Sequence, residues 1–232
     1  MKTISIVIPF HDEEKNLEIL LPDLRKYVND NHQILEVLLV NDLSKDSSKL
    51  VVEKFAQNNI KFKLLDLKFR GGQTGAFQKA FEISDGDYII RMDADLQDDP
   101  SNLPKFIKKI NEGYDIVMGI RKNRSHPLIL ILLSKSYDII FSILFQSKVK
   151  SNSGSFIAFR SKFVKNIKFK KNDHRYLPLI SYHRGAKNIF SLDINHKSRK
   201  FGSTKYKIYK KVLFGCFEAF LFYVRLKKGY YD

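Results

Sequence analysis

Asp93 and Asp95 stand two residues apart in the run Arg91-Met92-Asp93-Ala94-Asp95-Leu96-Gln97-Asp98-Asp99-Pro100. The run follows Gly86-Asp87-Tyr88-Ile89-Ile90, whose apolar, β-branched and aromatic residues read as a buried strand. Strand side chains alternate with period two, so two acids two apart at a strand end face the same side. Such a pair can share one divalent cation, and a hard cation with few protein ligands completes its shell with phosphate oxygens. A site for Mg²⁺ or Mn²⁺ and a diphosphate, at the carboxyl end of a sheet, is the chemistry this spacing offers, with Gln97 as a further oxygen donor. Asp-x-Asp alone also describes a solvated acidic turn, so its weight comes from what surrounds it. Asp98 and Asp99, just before Pro100 and a helix near Ser101, read as cap and first-turn residues.

The elements that must position these acids alternate in type. Ile4–Ile8, Ile34–Val40, Lys63–Leu67, Asp87–Met92 and Asp115–Met118 read as strands. Helices are predicted over Glu13–Tyr27, with Leu17, Leu20, Leu21 and Leu24 at helical spacing, then Asp46–Phe55, Ala76–Ile83 and Leu103–Asn111. Asp46 or Ser47 is the expected cap of the second helix. The order predicts an α/β fold, a mostly parallel sheet flanked by helices on both faces. Ligands of such sheets bind at the carboxyl ends of strands, where Pro9–Glu14, Asn41–Asp46 and Asp93–Gln97 all fall.

Charge is split along the chain. Residues 1–118 hold 16 Lys/Arg and 20 Asp/Glu, a net of −4, whereas residues 119–232 hold 25 and 5, a net of +20. The division implies an ordinary acidic domain followed by a section that meets something anionic. The single cysteine, Cys216, excludes a disulfide framework and fits a reducing compartment. No signal peptide or membrane span is expected. Ser134-Lys135-Ser136 and Asp138 interrupt Leu128–Phe145, and Val212–Val224 is short and contains Glu218. Both read as amphipathic helices able to lie on a membrane. Histidine spacing suggests no metal site; His174, His183 and His196 read as core or surface residues, the last on a strand.

Several motifs in order resemble one family. Ile6-Val7-Ile8-Pro9-Phe10-His11-Asp12-Glu13-Glu14, Val40-Asn41-Asp42-Leu43-Ser44-Lys45-Asp46, Gly72-Gln73 and Asp93-Ala94-Asp95-Leu96-Gln97-Asp98 come first. Gly119-Ile120-Arg121-Lys122-Asn123-Arg124, Ser153-Gly154-Ser155-Phe156 and Arg199-Lys200-Phe201-Gly202-Ser203-Thr204-Lys205-Tyr206 follow. The set resembles the family 2 glycosyltransferases of GT-A fold, in the polyprenyl-phosphate branch that holds dolichol-phosphate mannose synthase and bacterial undecaprenyl-phosphate glycosyltransferases. His11-Asp12 stands where typical members have Tyr-Asn, and Leu43 where many have Gly.

The resemblance implies transfer of a sugar, with inversion, from a nucleotide-diphosphate sugar to undecaprenyl or dolichyl phosphate, assisted by Mg²⁺ or Mn²⁺. It implies that Pro9, Glu13, Asp42 and Asp93 bind the nucleotide, that Asp93, Asp95 and Gln97 hold the metal, and that Asp95, Arg121, Arg199 and Lys205 serve catalysis. A lipid phosphate is already ionised near neutral pH and needs no strong base, only cations to bring two anions together. Arg grips phosphate with a planar fork and Lys as a point charge. Residues 1–125 are then the nucleotide-sugar and metal-binding core. Residues 126–232 complete the catalytic domain on the acceptor side as a basic extension with amphipathic, membrane-proximal helices. The expected setting is the cytoplasmic face of the membrane, peripherally bound, with or without a separate membrane-anchor subunit.

Two other activities compete. A sugar hydroxyl on a cell-surface glycan or lipid as acceptor would need a general base, and the C-terminal half has only five acids. A nucleotidyltransferase would begin with a Gly-rich loop bearing Arg, where this chain has Pro9-Phe10-His11-Asp12. Nucleic acid is not an expected partner: Lys205–Lys211 superficially offers aromatics interleaved with basic residues, but it directly follows the family signature.

Overall fold

The computed structural model describes residues 1–121, Phe145, Val149, 155–195 and 208–232, with backbone alone for Arg121 and 208–216. Seven strands form one sheet in the order β3-β2-β1-β4-β6-β5-β7. They are β1 (Ile4–Phe10), β2 (Ile34–Asn41), β3 (Phe62–Asp66), β4 (Tyr88–Arg91), β5 (Ile116–Arg121), β6 (Ile157–Arg160) and β7 (Ile189–Ile194). The pairs β1–β2, β2–β3, β1–β4 and β5–β7 are parallel. β6 runs antiparallel between β4 and β5. The sheet is therefore mixed and mostly parallel, as the alternation of elements predicts, and strands from both halves of the sequence share it.

Alternation along each strand builds two cores. Ile4, Ile6 and Ile8 of β1 face one side, with Ile34, Val37 and Leu39 of β2 and Tyr88 and Ile90 of β4. There they meet Leu17, Leu20, Leu21 and Leu24 of helix α1 (Glu14–Val28) and Leu103, Phe106, Ile107 and Ile110 of helix α4 (Leu103–Asn111). Val7, Leu38, Val40 and Ile89 face the other side. That core is closed by Ala76, Phe77, Ala80 and Phe81 of helix α3 (Gly72–Ile83) and by helix α5 (Leu177–His183). Ala219, Phe222 and Leu226 of helix α6 (Ile208–Lys227) complete it. Burial on both faces is why these strands read as nearly continuous apolar runs.

Boundaries shift where turn chemistry intervenes. Helix α2 spans Ser48–Gln57, with Ser47 at the cap position making no side-chain cap bond; Asp46 Oδ1 instead accepts the Ser48 N–H at 3.0 Å. Helix α3 starts at Gly72, four residues before the expected Ala76. β7 ends at Ile194, and His196 lies outside the described residues, as does most of Leu128–Phe145. Among the described residues no helix is long and apolar enough to cross a membrane.

Candidate functional site

Strand order reverses at β1, which has β2 on one side and β4 on the other, so the loops after these strands diverge and open a crevice. Pro9, Phe10, His11, Glu13, Asp42, Gln73, Asp93, Ala94 and Asp95 line it. Five residues chosen from sequence, Pro9, Glu13, Asp42, Asp93 and Asp95, thus come together. Each loop turns through a non-glycine residue in the left-handed region: Asp12 at φ 56°, Leu43 at 57° and Leu96 at 63°. That conformation is costly for a side chain such as leucine and concentrates at functional sites.

The first two loops are stitched together. Asp12 Oδ1 accepts the Lys45 N–H at 2.6 Å, and the Glu13 N–H donates to Ser48 Oγ at 2.8 Å. Glu13 occupies the N-cap position of α1 without a side-chain cap bond, and its Oε2 accepts from Asn16 Nδ2. Asp42, almost fully buried, accepts the Gly71 and Gly72 N–H groups on Oδ1 at 2.7 and 3.2 Å, while Oδ2 lies 4.0 Å from Arg70 Nε. Gly72 sits at φ +60°, open to glycine without strain. These two bonds explain the early start of α3: the Asp42 carboxylate satisfies amides that a helix start leaves without partners. The His11 imidazole Nδ1–H donates to the Asp42 carbonyl at 2.8 Å.

The third loop carries the paired acids. β4 ends at Arg91, so Asp93 and Asp95 lie beyond the strand, and the loop, not strand alternation, brings both to the crevice. Asp95 Oδ1 accepts the Gln97 N–H at 3.1 Å. Gln97 itself does not line the crevice; its backbone braces Asp95. Asp99 caps the 3₁₀ turn Pro100–Asn102 by accepting from the Ser101 N–H at 3.0 Å, as expected. Asp98 corrects the sequence reading. It is no cap: buried behind the loop, its Oδ2 accepts the Asp93 N–H at 2.9 Å and the Ser155 hydroxyl at 2.6 Å.

Beneath them lies Arg91, a buried cation. Its Nε donates to the Ser155 carbonyl at 2.9 Å and its Nη1 to the His174 carbonyl at 2.6 Å, and its guanidinium lies 5.2 Å from the Phe77 ring centre. Burial first, then the charges of Asp98 and Asp95, push the Asp93 carboxyl up to about 7 against the pull of Arg91. A carboxylate held in that state gains by meeting a cation. His174 is pushed down to about 3 by burial and by Arg91 and Arg175, and stays neutral beside Thr74 Oγ1 at 2.7 Å. Sequence reasoning missed the roles of Asp98 and Arg91, whereas His174 packs against Phe77 as a core residue, one of the two places read for it. For Arg91 there was a signal, an arginine inside the apolar run Tyr88-Ile89-Ile90-Arg91-Met92.

Among the described residues no three His, Cys, Asp or Glu side chains form a ready metal cage. Asp93 and Asp95 fit a cation that takes its remaining oxygens from diphosphate and water, the usual habit of Mg²⁺. Arg199, Lys205 and Arg124 lie outside the described residues, and Arg121 is described only in its backbone, as the last residue of β5.

The model of the glycosyl transferase family 2 domain matches residues 5–170, which takes in all of these loops. The chain belongs to glycosyltransferase family 2. Among family relatives, undecaprenyl-phosphate 4-deoxy-4-formamido-L-arabinose transferase of Pectobacterium carotovorum is 27% identical over 213 residues, covering 91% of this chain and 65% of the relative. The enzyme of the same name from Photorhabdus laumondii is 29% identical over 215 residues, with the same coverage. The chain thus spans about two thirds of the length of the curated relatives it matches. In fold it is similar to glucosyl-3-phosphoglycerate synthase from Mycobacterium tuberculosis, solved with Mn²⁺ and uridine diphosphate. That likeness has a TM-score of 0.68 at 16% identity, covering 87% of this chain and 73% of the other. The α/β arrangement is thus the GT-A-like fold of the family.

Proposed function

We propose that this family 2 member transfers a sugar from a nucleotide-diphosphate sugar to polyprenyl phosphate, with inversion and with help from Mg²⁺ or Mn²⁺. The observation that carries the reading is the convergence of Glu13, Asp42, Asp93 and Asp95 on one crevice at the carboxyl edge of the sheet, in a chain whose relatives are named as undecaprenyl-phosphate sugar transferases. Glu13 and Asp42 offer oxygens to ribose hydroxyls and base N–H groups. Pro9 and Phe10 form the wall beside them. Asp93 and Asp95 would hold the cation, whose chemistry when bound is to neutralise the diphosphate as it leaves. Asp98 and Arg91 fix the height and charge of that loop, and Gln97 holds Asp95 in place.

The acceptor phosphate attacks the anomeric carbon from the face opposite the departing diphosphate. It arrives ionised, so no side chain has to remove a proton from it. Arg121, Arg199 and Lys205 are the cations we assign to holding it. A polyprenyl chain stays in the bilayer, so the protein works peripherally at the cytoplasmic face of the membrane, alone or beside a separate anchor subunit.

Incubation of the protein with polyprenyl phosphate, Mn²⁺ and a panel of nucleotide sugars, read by mass spectrometry, tests the reading. One donor should give a glycosyl phospholipid and release its nucleoside diphosphate. No glycolipid with any donor, from protein that binds nucleotide, would refute it.

A further inference from the structure

α6 has two unlike sides. At about 100° per residue, Ala219, Phe222 and Leu226 share one side and are buried. Phe222 stacks on Tyr176 at 4.3 Å and packs beside Phe145 at 5.5 Å and Tyr231 at 5.4 Å. The opposite side carries Phe217, Phe220 and Leu221, which are 61%, 58% and 41% exposed, and exposed Lys228 follows directly after the helix. Two neighbouring aromatic rings and a leucine in water on one helix face are unusual for a surface.

The flanks of this stripe are basic. On one side the turn before α5 presents exposed Lys170, Lys171 and Arg175. That turn is fastened to α6: Asn172 Nδ2 and Arg175 donate to Glu218, and Arg225 donates to fully buried Asp173 at 2.6 Å. On the other side exposed Lys227 lies 5.7 Å from the Tyr223 ring centre. The same turn is bonded to residues behind the crevice: Thr74 Oγ1 accepts the Asn172 N–H at 3.1 Å and the His174 carbonyl accepts from Arg91. The stripe is therefore tied, through this turn, to Thr74 and Arg91, the sequence neighbours of the crevice residues Gln73 and Asp93.

We propose that Phe217, Phe220 and Leu221, bordered by Lys170, Lys171, Lys227 and Lys228, form the docking surface for an anionic phospholipid bilayer. Aromatic and aliphatic side chains enter the headgroup–acyl boundary while lysines beside them meet anionic headgroups. The charge around the stripe selects this occupant over a second copy of the chain, whose identical basic flanks would repel. The proposal rests on the reading that the acceptor is a membrane lipid, and it specifies which face meets that membrane.

Flotation of the full chain with phosphatidylcholine vesicles, with and without phosphatidylglycerol, tests it. The protein should float with the anionic vesicles at low salt and be released at high salt, since surface attraction is screened. Phe217→Ser with Phe220→Ser, and separately Lys170→Glu with Lys171→Glu, should each weaken partition at least about ten-fold. These side chains are exposed, so melting curves should be unchanged, as should turnover on a short-chain, water-soluble prenyl phosphate. Wild-type protein that stays unbound, or serine variants that float like wild type, would overturn the proposal. So would a dimer that dissociates in the serine variants while vesicle binding is absent. Loss of soluble-acceptor activity in wild type that still floats would instead refute the assigned acceptor and leave the docking surface standing.

Discussion

Asp98 accepts the backbone N–H of Asp93 at 2.9 Å while its negative charge opposes ionisation of the Asp93 side chain. One residue thus fixes the loop in place and makes its carboxylate costly to ionise without a cation. This gives Asp93 opposite roles in stability and in activity.

Asp93→Asn and Asp95→Asn should each lower turnover by well over ~10-fold, since a lost ligand charge removes part of a stabilisation worth several kcal/mol. Asp93→Asn should nevertheless raise the melting temperature of the metal-free protein at pH 8, because it removes an ionised group that burial and Asp98 disfavour. Calorimetry with and without Mn²⁺ checks this; a lower melting temperature for metal-free Asp93→Asn would contradict it.

The same crowding sets a pH dependence. Unfolded, the Asp93 carboxyl titrates near its ordinary value of 3.8, whereas the metal-free fold keeps the proton up to about 7. Between these values the fold binds a proton the unfolded chain does not, so this contribution is full at the acid end and is lost as pH rises through about 7. Cation binding runs the other way, because ligation needs the ionised carboxylate. Titration calorimetry should find Mn²⁺ affinity rising from pH 5.5 to about 7 and flattening above. A flat affinity across that range would count against the arrangement.

Asp42→Ala should strip two amides of their acceptor at Gly71 and Gly72 and cost about 1–3 kcal/mol in stability. Donor KM should rise by about ten-fold or more, with a smaller change in kcat, because the wall of the crevice moves and the paired acids do not. Steady-state kinetics over a range of donor concentrations separates the two parameters.

Asp173 takes part in no proposed chemistry, yet its oxygens accept from Arg225, from the Tyr231 hydroxyl at 2.7 Å and from the Lys170 N–H at 2.7 Å. Asp173→Ala should destabilise the fold by about 2–3 kcal/mol, because three donors lose a buried acceptor while Arg225, 24% exposed, can still reach water. Tyr231→Phe, which keeps the ring packed on Phe222, should cost only about 1 kcal/mol. Urea denaturation resolves the difference.

Arg199→Lys should already reduce turnover on polyprenyl phosphate, since an ammonium cannot replace the planar fork. Lys205→Ala should weaken acceptor use more than nucleotide binding. Unchanged acceptor kinetics in both variants would return these residues to the general basic surface.

The acids that line the crevice were legible because their signals are local. β1, β2 and α4 follow from apolar runs and helical spacing, and the acids at strand ends follow from where α/β sheets bind ligands. What was misread depends on distant partners. Asp98 stands beside a proline like a cap, but its hydroxyl donor is Ser155, 57 residues on. Gly71 to Gly75 reads as loop, and only the Asp42 carboxylate, 29 residues earlier, lets α3 begin at Gly72. β6 has four residues and pairs antiparallel between two strands far from it in sequence, so nothing local reveals its place.

The central claim, phosphate as the nucleophile, is tested most directly by offering the enzyme polyprenyl monophosphate and the matching free polyprenol side by side. Donor and Mn²⁺ should be saturating, and product formation followed by mass spectrometry. Transfer to the monophosphate alone, abolished by chelator, is the predicted result. Comparable transfer to the free alcohol would contradict it, because a hydroxyl acceptor needs a general base that the proposed mechanism does not include.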